Sequence, residues 1–177
     1  MFARSHRYPF LLPAALIVAC CAAVSQGCSA WRDSRARVFR MGERVAVRTL
    51  IYNVLETEWK TQLGEGIESR QPVHRYLLVQ VSVTNSGGTE CSIPPMVLTD
   101  QKGQSYQEVM VGGAVPQWLG MLRKLGPAMT EQGRVVFDAP LASYRLRVAS
   151  DDAPGDEQIA FIDLPLPIEP EAEPKVK

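Results

Sequence analysis

Histidine is almost missing from this sequence: two occur in 177 residues, His6 and His74. Proton transfer through imidazole, or a metal held by several imidazoles, has little to draw on. A serine–histidine–acid device would have to use His74, which stands in "PVHRYLL" at the entrance to an apolar run, where a surface or turn histidine is the simpler reading. No G-x-S-x-G elbow occurs, and "VGGAVP" runs into a proline with no lysine behind it, so neither a nucleophile turn nor a phosphate cradle is present. Charge of one sign is missing too. The 19 Lys+Arg balance 19 Asp+Glu, leaving no net field to draw the chain onto nucleic acid. Asp151, Asp152 and Asp156 in "ASDDAPGDE" lack the alternating ligands and closing glutamate of a calcium loop and read as a polar turn. Glu56 and Glu58 are explained as outward positions of one strand. These absences set the expectation of a non-enzymatic protein with no cofactor and no metal. A hydrolase relying on His74 stands last among the alternatives.

Cysteine is scarce as well, and three of the four residues crowd the N-terminus: Cys20, Cys21 and Cys28, with Cys91 far downstream. Arg4, His6 and Arg7 precede "YPFLLPAALIVACCAAVS", residues 8–25, which carries no charged side chain. A positive start, an apolar stretch and a small-residue exit form a secretion signal. Pro9 and Pro13 leave the stretch short for a membrane span of roughly 20 residues, so cleavage is preferred to a retained anchor. The exit "VSQGCSA" resembles the lipobox of bacterial lipoproteins, in which a small residue precedes a cysteine that takes a diacylglycerol. Cys28 is the expected lipidation site. "LIVAC" at Cys20 matches the aliphatic pattern better but would leave apolar residues at the mature start, and ordinary cleavage after Ala30 is a third option. Ser29 after the lipid cysteine is compatible with export to an outer membrane. Losing residues 1–27 removes Arg4 and Arg7 and no acid, so the mature body keeps two more acids than bases. A lipidated Cys28 leaves Cys91 single, most simply as a small buried apolar residue.

The expected organisation is a signal peptide over 1–27, a lipidated flexible tether over 28–42 with Arg32, Arg35, Arg37 and Arg40, a folded domain over 43–166, and an extended Pro/Glu-rich tail over 167–177. The domain reads as seven strand segments. "RVAVRTLIYNV" alternates through Val45, Val47 and Ile51. "YLLVQVSVTN" puts Leu77, Val79, Val81 and Val83 on one face and Tyr76, Leu78, Gln80, Ser82 and Thr84 on the other. "ECSIPPMVLTD" is interrupted by Pro94 and Pro95. "QSYQEVMV", "GRVVFDAP", "SYRLRVAS" and "EQIAFIDLPL" complete the set. In "SYRLRVAS", Tyr144, Leu146 and Val148 point inward and Arg145 and Arg147 outward. Seven strands in roughly 120 residues, separated by turn signals, suggest an all-β antiparallel sandwich.

Four of these stretches in order, "VAVRTLIYNV", "YLLVQVSVTNSGG", "LTDQKGQSY" and "LGPAMTEQGRVVFDAP", resemble a family of secreted or lipid-anchored bacterial immunoglobulin-like domains of unknown function, the group of immunoprotective extracellular antigen-like β-sandwiches. The resemblance covers roughly residues 43–150. It implies an immunoglobulin-like β-sandwich placed outside the cytosol and implies no reaction. Ala128 stands where that family often has glycine. The cysteine pair that staples antibody domains is missing, so packing alone must hold the core.

One segment departs from the strand pattern. "GGAVPQWLGMLRKLGP", residues 112–127, sets Trp118, Met121, Leu122 and Leu125 at helical spacing, as in a short amphipathic turn or helix plugging one end of the sandwich. The sharper alternative makes Trp118, Leu119, Met121 and Leu122 a partner-facing surface, because Trp and Met are enriched at interfaces. The functional expectation is a bacterial envelope lipoprotein, held on the membrane through Cys28, whose domain binds an envelope protein or other ligand and no nucleic acid. The alternative is a structural or accessory subunit of an envelope assembly or transporter.

Overall fold

The computed structural model describes residues 36–64 and 69–166. Cys20, Cys28, the signal region and the 167–177 tail lie outside them. Among the described residues eleven strands are formed: β1 Arg37–Arg40, β2 Val45–Val47, β3 Leu50–Lys60, β4 Arg75–Asn85, β5 Cys91–Ser92, β6 Val97–Thr99, β7 Ser105–Gln107, β8 Lys124–Leu125, β9 Thr130–Ala139, β10 Tyr144–Ala149 and β11 Ile159–Leu164. They build a five-stranded sheet in the order β1-β11-β10-β6-β7, a four-stranded sheet β2-β3-β4-β9, and a small pair β5-β8. All pairings are antiparallel except β1 with β11. The fold is the expected all-β immunoglobulin-like sandwich.

Two of the seven segments split for local reasons. The first splits at Arg48–Thr49, a two-residue hairpin turn with Arg48 at φ 53°. The turn resets the alternation, so Leu50, Tyr52 and Val54 are buried in place of Ile51. The third splits at Pro94–Pro95, where two residues without an N–H cannot continue a ladder. The chain there leaves the small β5-β8 pair and enters the five-stranded sheet as β6.

β1 is a correction to the tether. Residues 37–40, expected to be flexible, lie along the edge of β11 and pack Phe39 against the core. The folded unit therefore begins at Arg37 and not at residue 43. Backbone pairing with the otherwise free edge of β11 and the packing of Phe39 against the core hold them in place.

β4 is the central strand. Leu77, Val79, Val81 and Val83 all enter the main core, facing Leu146, Val148 and Ile162 from the other sheet. Each such burial contributes about 1.5–3 kcal/mol. Tyr76 and Leu78 face the opposite way, into a second, smaller cluster with Leu63, Val111, Val115 and Val136. Tyr144, Leu146 and Val148 point inward as expected. Cys91 is half-buried and not fully buried, its Sγ 3.8 Å from the Leu125 carbonyl oxygen. Burial pushes its thiol above the ordinary value. Ala128 adopts φ 58°. A left-handed conformation costs an L-residue about 1–2 kcal/mol, a cost that glycine would avoid.

The registers define two ends. Lys60, Tyr76 and Asp138 share one with Tyr144, whose ring contacts Trp59; Leu50, Asn85 and Thr130 share the other. Two buried phenols tie the sheets and corners. Tyr52 Oη donates to the Ala149 carbonyl at 2.7 Å, and Tyr144 Oη to the Pro140 carbonyl at 2.6 Å. Burial raises the Tyr52 phenol well above its ordinary range. Burial first, then Tyr106 and Asp100, push Tyr144 up to about 12. A raised folded value means stability that is complete below the unfolded value of 10.0 and is lost as pH climbs through the folded one. Urea melts should therefore show declining stability from pH 10 to about 12, and Tyr144→Phe should flatten part of that decline.

Candidate functional site

The segment from Glu108 to Leu125 is a long excursion from the strand pattern, and an ion pair closes it. Glu108 follows β7 and turns inward, and Arg123 precedes β8. Their side chains are 1% and 0% exposed, and Arg123 Nη2 donates to Glu108 Oε2. Glu108 Oε1 also accepts from the Met96 N–H, Arg123 Nε donates to the Gly120 carbonyl, and the Arg123 carbonyl accepts from Ile93 N at 3.0 Å. One pair thus joins both ends of the segment to the Pro94–Pro95 crossover. Burial pushes the Glu108 carboxyl up, with Arg123 and the Met96 N–H pulling it back. Arg123 Nη1 and Trp118 Nε1 are buried polar atoms without a hydrogen-bond partner.

Between its ends the segment clasps the edge of β9. Val109 N donates to the Val136 carbonyl at 2.7 Å, Arg134 N to the Gln117 carbonyl at 2.8 Å, and Leu119 N to the Arg134 carbonyl at 3.0 Å. A long sheet edge is covered this way. Alternate residues of an extended chain point to opposite faces, so Trp118 packs into the outer cluster and Leu119 into the main core. The expected helix does not form. Gly112, Gln117 and Gly120 take φ of 56°, 55° and 76°, and only a 3-10 turn at Gly112–Ala114 appears. The residues expected to share one apolar face are divided: Trp118 and Met121 half-buried, Leu119 and Leu125 buried, Leu122 100% exposed. The segment lies along the edge of β9 and over the outer face of the four-stranded sheet, where the outer cluster takes the place of an end plug.

Gly133 makes the close approach possible. A Cβ there would lie 2.7 Å from the Gln117 carbonyl oxygen and 2.9 Å from Leu119 Cδ1. Gly133→Ala should destabilise the domain by about 1–3 kcal/mol. It should also red-shift tryptophan emission, and that shift should vanish in a Trp118→Phe background.

The other residues weighed for chemistry are not assembled into one place. His74 is exposed, its Nδ1 3.6 Å from Asp138 Oδ1. Asp151 accepts from Ser92 N at 2.6 Å, and Asp152 pairs with Arg48 at 2.7 Å, so both brace neighbouring turns. Glu58 pairs with Lys60 at 3.3 Å. Glu108 and Arg123 were not visible as a pair in the sequence. The only trace was a glutamate directly before the apolar run Val109–Val111. Gly133, which opens the strand segment read from the sequence, lies inside β9, where a glycine marks close backbone contact.

A family model described as a domain of unknown function (DUF4352) matches residues 39–159. No curated protein matches the sequence. Among solved structures, the yjhA protein of Bacillus subtilis is 17% identical with a TM-score of 0.54, over 71% of this chain and 98% of that one. The ycdA protein of Bacillus subtilis, named a putative lipoprotein, is 14% identical with a TM-score of 0.53, over 70% of this chain and 38% of that one. The secreted protein MPT63 of Mycobacterium tuberculosis is 15% identical with a TM-score of 0.50, over 73% of this chain and 98% of that one. At these identities the likeness is one of fold.

Proposed function

Since this chain belongs to the DUF4352 family of domains of unknown function, its role has to be read from its own residues, and we propose that it is an exported, lipid-anchored, non-enzymatic binding module of the bacterial envelope. The lipobox-like "VSQGCSA" supports anchoring at Cys28, and the likeness in fold to a secreted protein and to one named a putative lipoprotein supports export. The observation that carries the binding role is Leu122. It is wholly exposed at the tip of a segment whose flanks are fixed by the buried Glu108–Arg123 pair and by the β9 edge. A large apolar side chain held out on a preordered loop loses little entropy on docking, which is the condition for an interface anchor. Met121, half-buried beside it, widens the contact.

The test is made on the membrane fraction. Intact mass should show a diacylglyceryl adduct that Cys28→Ser abolishes. Leu122→Glu should abolish recovery of the bound partner, while Leu55→Glu, at an exposed position on β3, retains it. An unmodified thiol in the aqueous fraction would contradict the anchor, and a partner indifferent to Leu122→Glu would contradict the site.

A further inference from the structure

The end of the sandwich that carries Tyr144 presents a second surface, built from other residues. Val73 is 87% exposed and Leu141 50%. Arg75 pairs with Ala139 as the last pair of β4 and β9, so Val73 and Leu141, each two residues beyond it, lie at the same end of the two strands. Asp138 fixes this corner: Oδ2 accepts from Val73 N at 2.6 Å and Oδ1 from His74 N at 2.8 Å. Across the sandwich, the turn between β6 and β7 carries Lys102. Asp100 Oδ1 accepts there from the N–H groups of Lys102 and Gln104, both at 2.8 Å. The carboxylates of Asp138 and Asp100 are therefore turned onto backbone N–H groups. Arg75 and Lys102 have no ion-pair partner among the described residues. Tyr106 stands half-buried beside this turn, edge-on to Tyr144 with ring centroids 5.6 Å apart.

We propose that this corner docks an acidic peptide segment of a partner protein, its carboxylates meeting Arg75 and Lys102 while an apolar side chain rests on Val73 and Leu141. Unpaired cations beside exposed aliphatic groups fit a ligand that alternates acid and hydrocarbon. The surface is separate from the Leu122 tip.

The experiment is a calorimetric titration of the full-length protein in neutral detergent. The probe is a capped nonapeptide of three Glu-Glu-Leu repeats, with three Lys-Lys-Leu repeats as control. The glutamate peptide should bind, more tightly as salt falls. Arg75→Glu and Lys102→Glu should each weaken it by about tenfold or more, and Leu141→Ser should weaken it several-fold. Leu122→Glu should leave it unchanged, which separates this site from the one proposed above. All four positions are exposed, and unchanged circular dichroism verifies folding. Equal binding of the lysine peptide, or indifference to both charge reversals, would overturn the proposal. So would phosphatidylglycerol vesicles engaging Arg75 and Lys102 where the peptide fails. If neutralising Glu169, Glu171 and Glu173 to Gln raised peptide affinity tenfold, the occupant would be the chain's own acids, and the partner would be overturned.

Discussion

Arg123→Met should cost the domain about 3–5 kcal/mol of unfolding free energy in urea, because it leaves the Glu108 carboxylate buried without its counter-charge. Glu108→Gln should be comparably damaging, for it leaves the Arg123 guanidinium, 0% exposed, facing a neutral amide. Destabilisation alone would not distinguish this pair from any other core contact. The double variant Glu108→Leu/Arg123→Met does. Once both charges are gone, neither pays for desolvation unaided, and only the Met96 N–H and the Gly120 carbonyl lose partners. The double variant should therefore lose less than the two single variants added together, with a coupling of about 1–3 kcal/mol. Additive losses would mean that the two side chains act independently. The single variants should also speed hydrogen exchange at Ile93 and Met96, whose N–H groups are held by this pair.

Asn85→Ala is expected to cost about 2–4 kcal/mol, since it orphans several buried backbone groups at once. Asn85 is fully buried at the end of β4. Its Nδ2 donates to the carbonyls of Thr89 at 2.8 Å, Leu125 at 3.0 Å and Gly126 at 3.2 Å, and its Oδ1 accepts from Gly87 N at 2.8 Å. One amide thus closes the "NSGG" turn and fastens β8 to the end of the four-stranded sheet. Asn85→Asp is nearly isosteric, so a packing role would tolerate it. A donor role would not, because a carboxylate would face three carbonyl oxygens. Asp at this position should be at least as destabilising as Ala, and increasingly so as pH rises and the side chain ionises. Thermal melts of both variants across pH 4–7 check this.

Much of this fold was legible because its information is local. The period-two runs at Leu77–Val83 and Tyr144–Val148 named both inner faces, and Pro94–Pro95 marked the place where the chain changes sheets. β1 was missed because its ordering depends on the free edge of β11, more than a hundred residues away. The segment at 112–127 was misread for a related reason. Helical spacing of Trp118, Met121, Leu122 and Leu125 is a weak signal over so short a stretch. The hydrogen bonds that decide its path come from β9, and Gln117 and Gly120 turn the backbone away from helix. The Glu108–Arg123 pair left almost no trace, because two charges fifteen residues apart carry no periodicity. What the sequence did mark was Leu122 as one of a group of four, of which burial leaves it the exposed member.

The most direct measurement is photo-crosslinking from position 122 in intact cells, with the same photoreactive side chain at position 55 as the control. The expected result is one discrete adduct from position 122, absent from position 55 and weakened when Arg123→Met loosens the segment behind it. Equal labelling from both positions, or none from 122, would contradict a binding role for this tip.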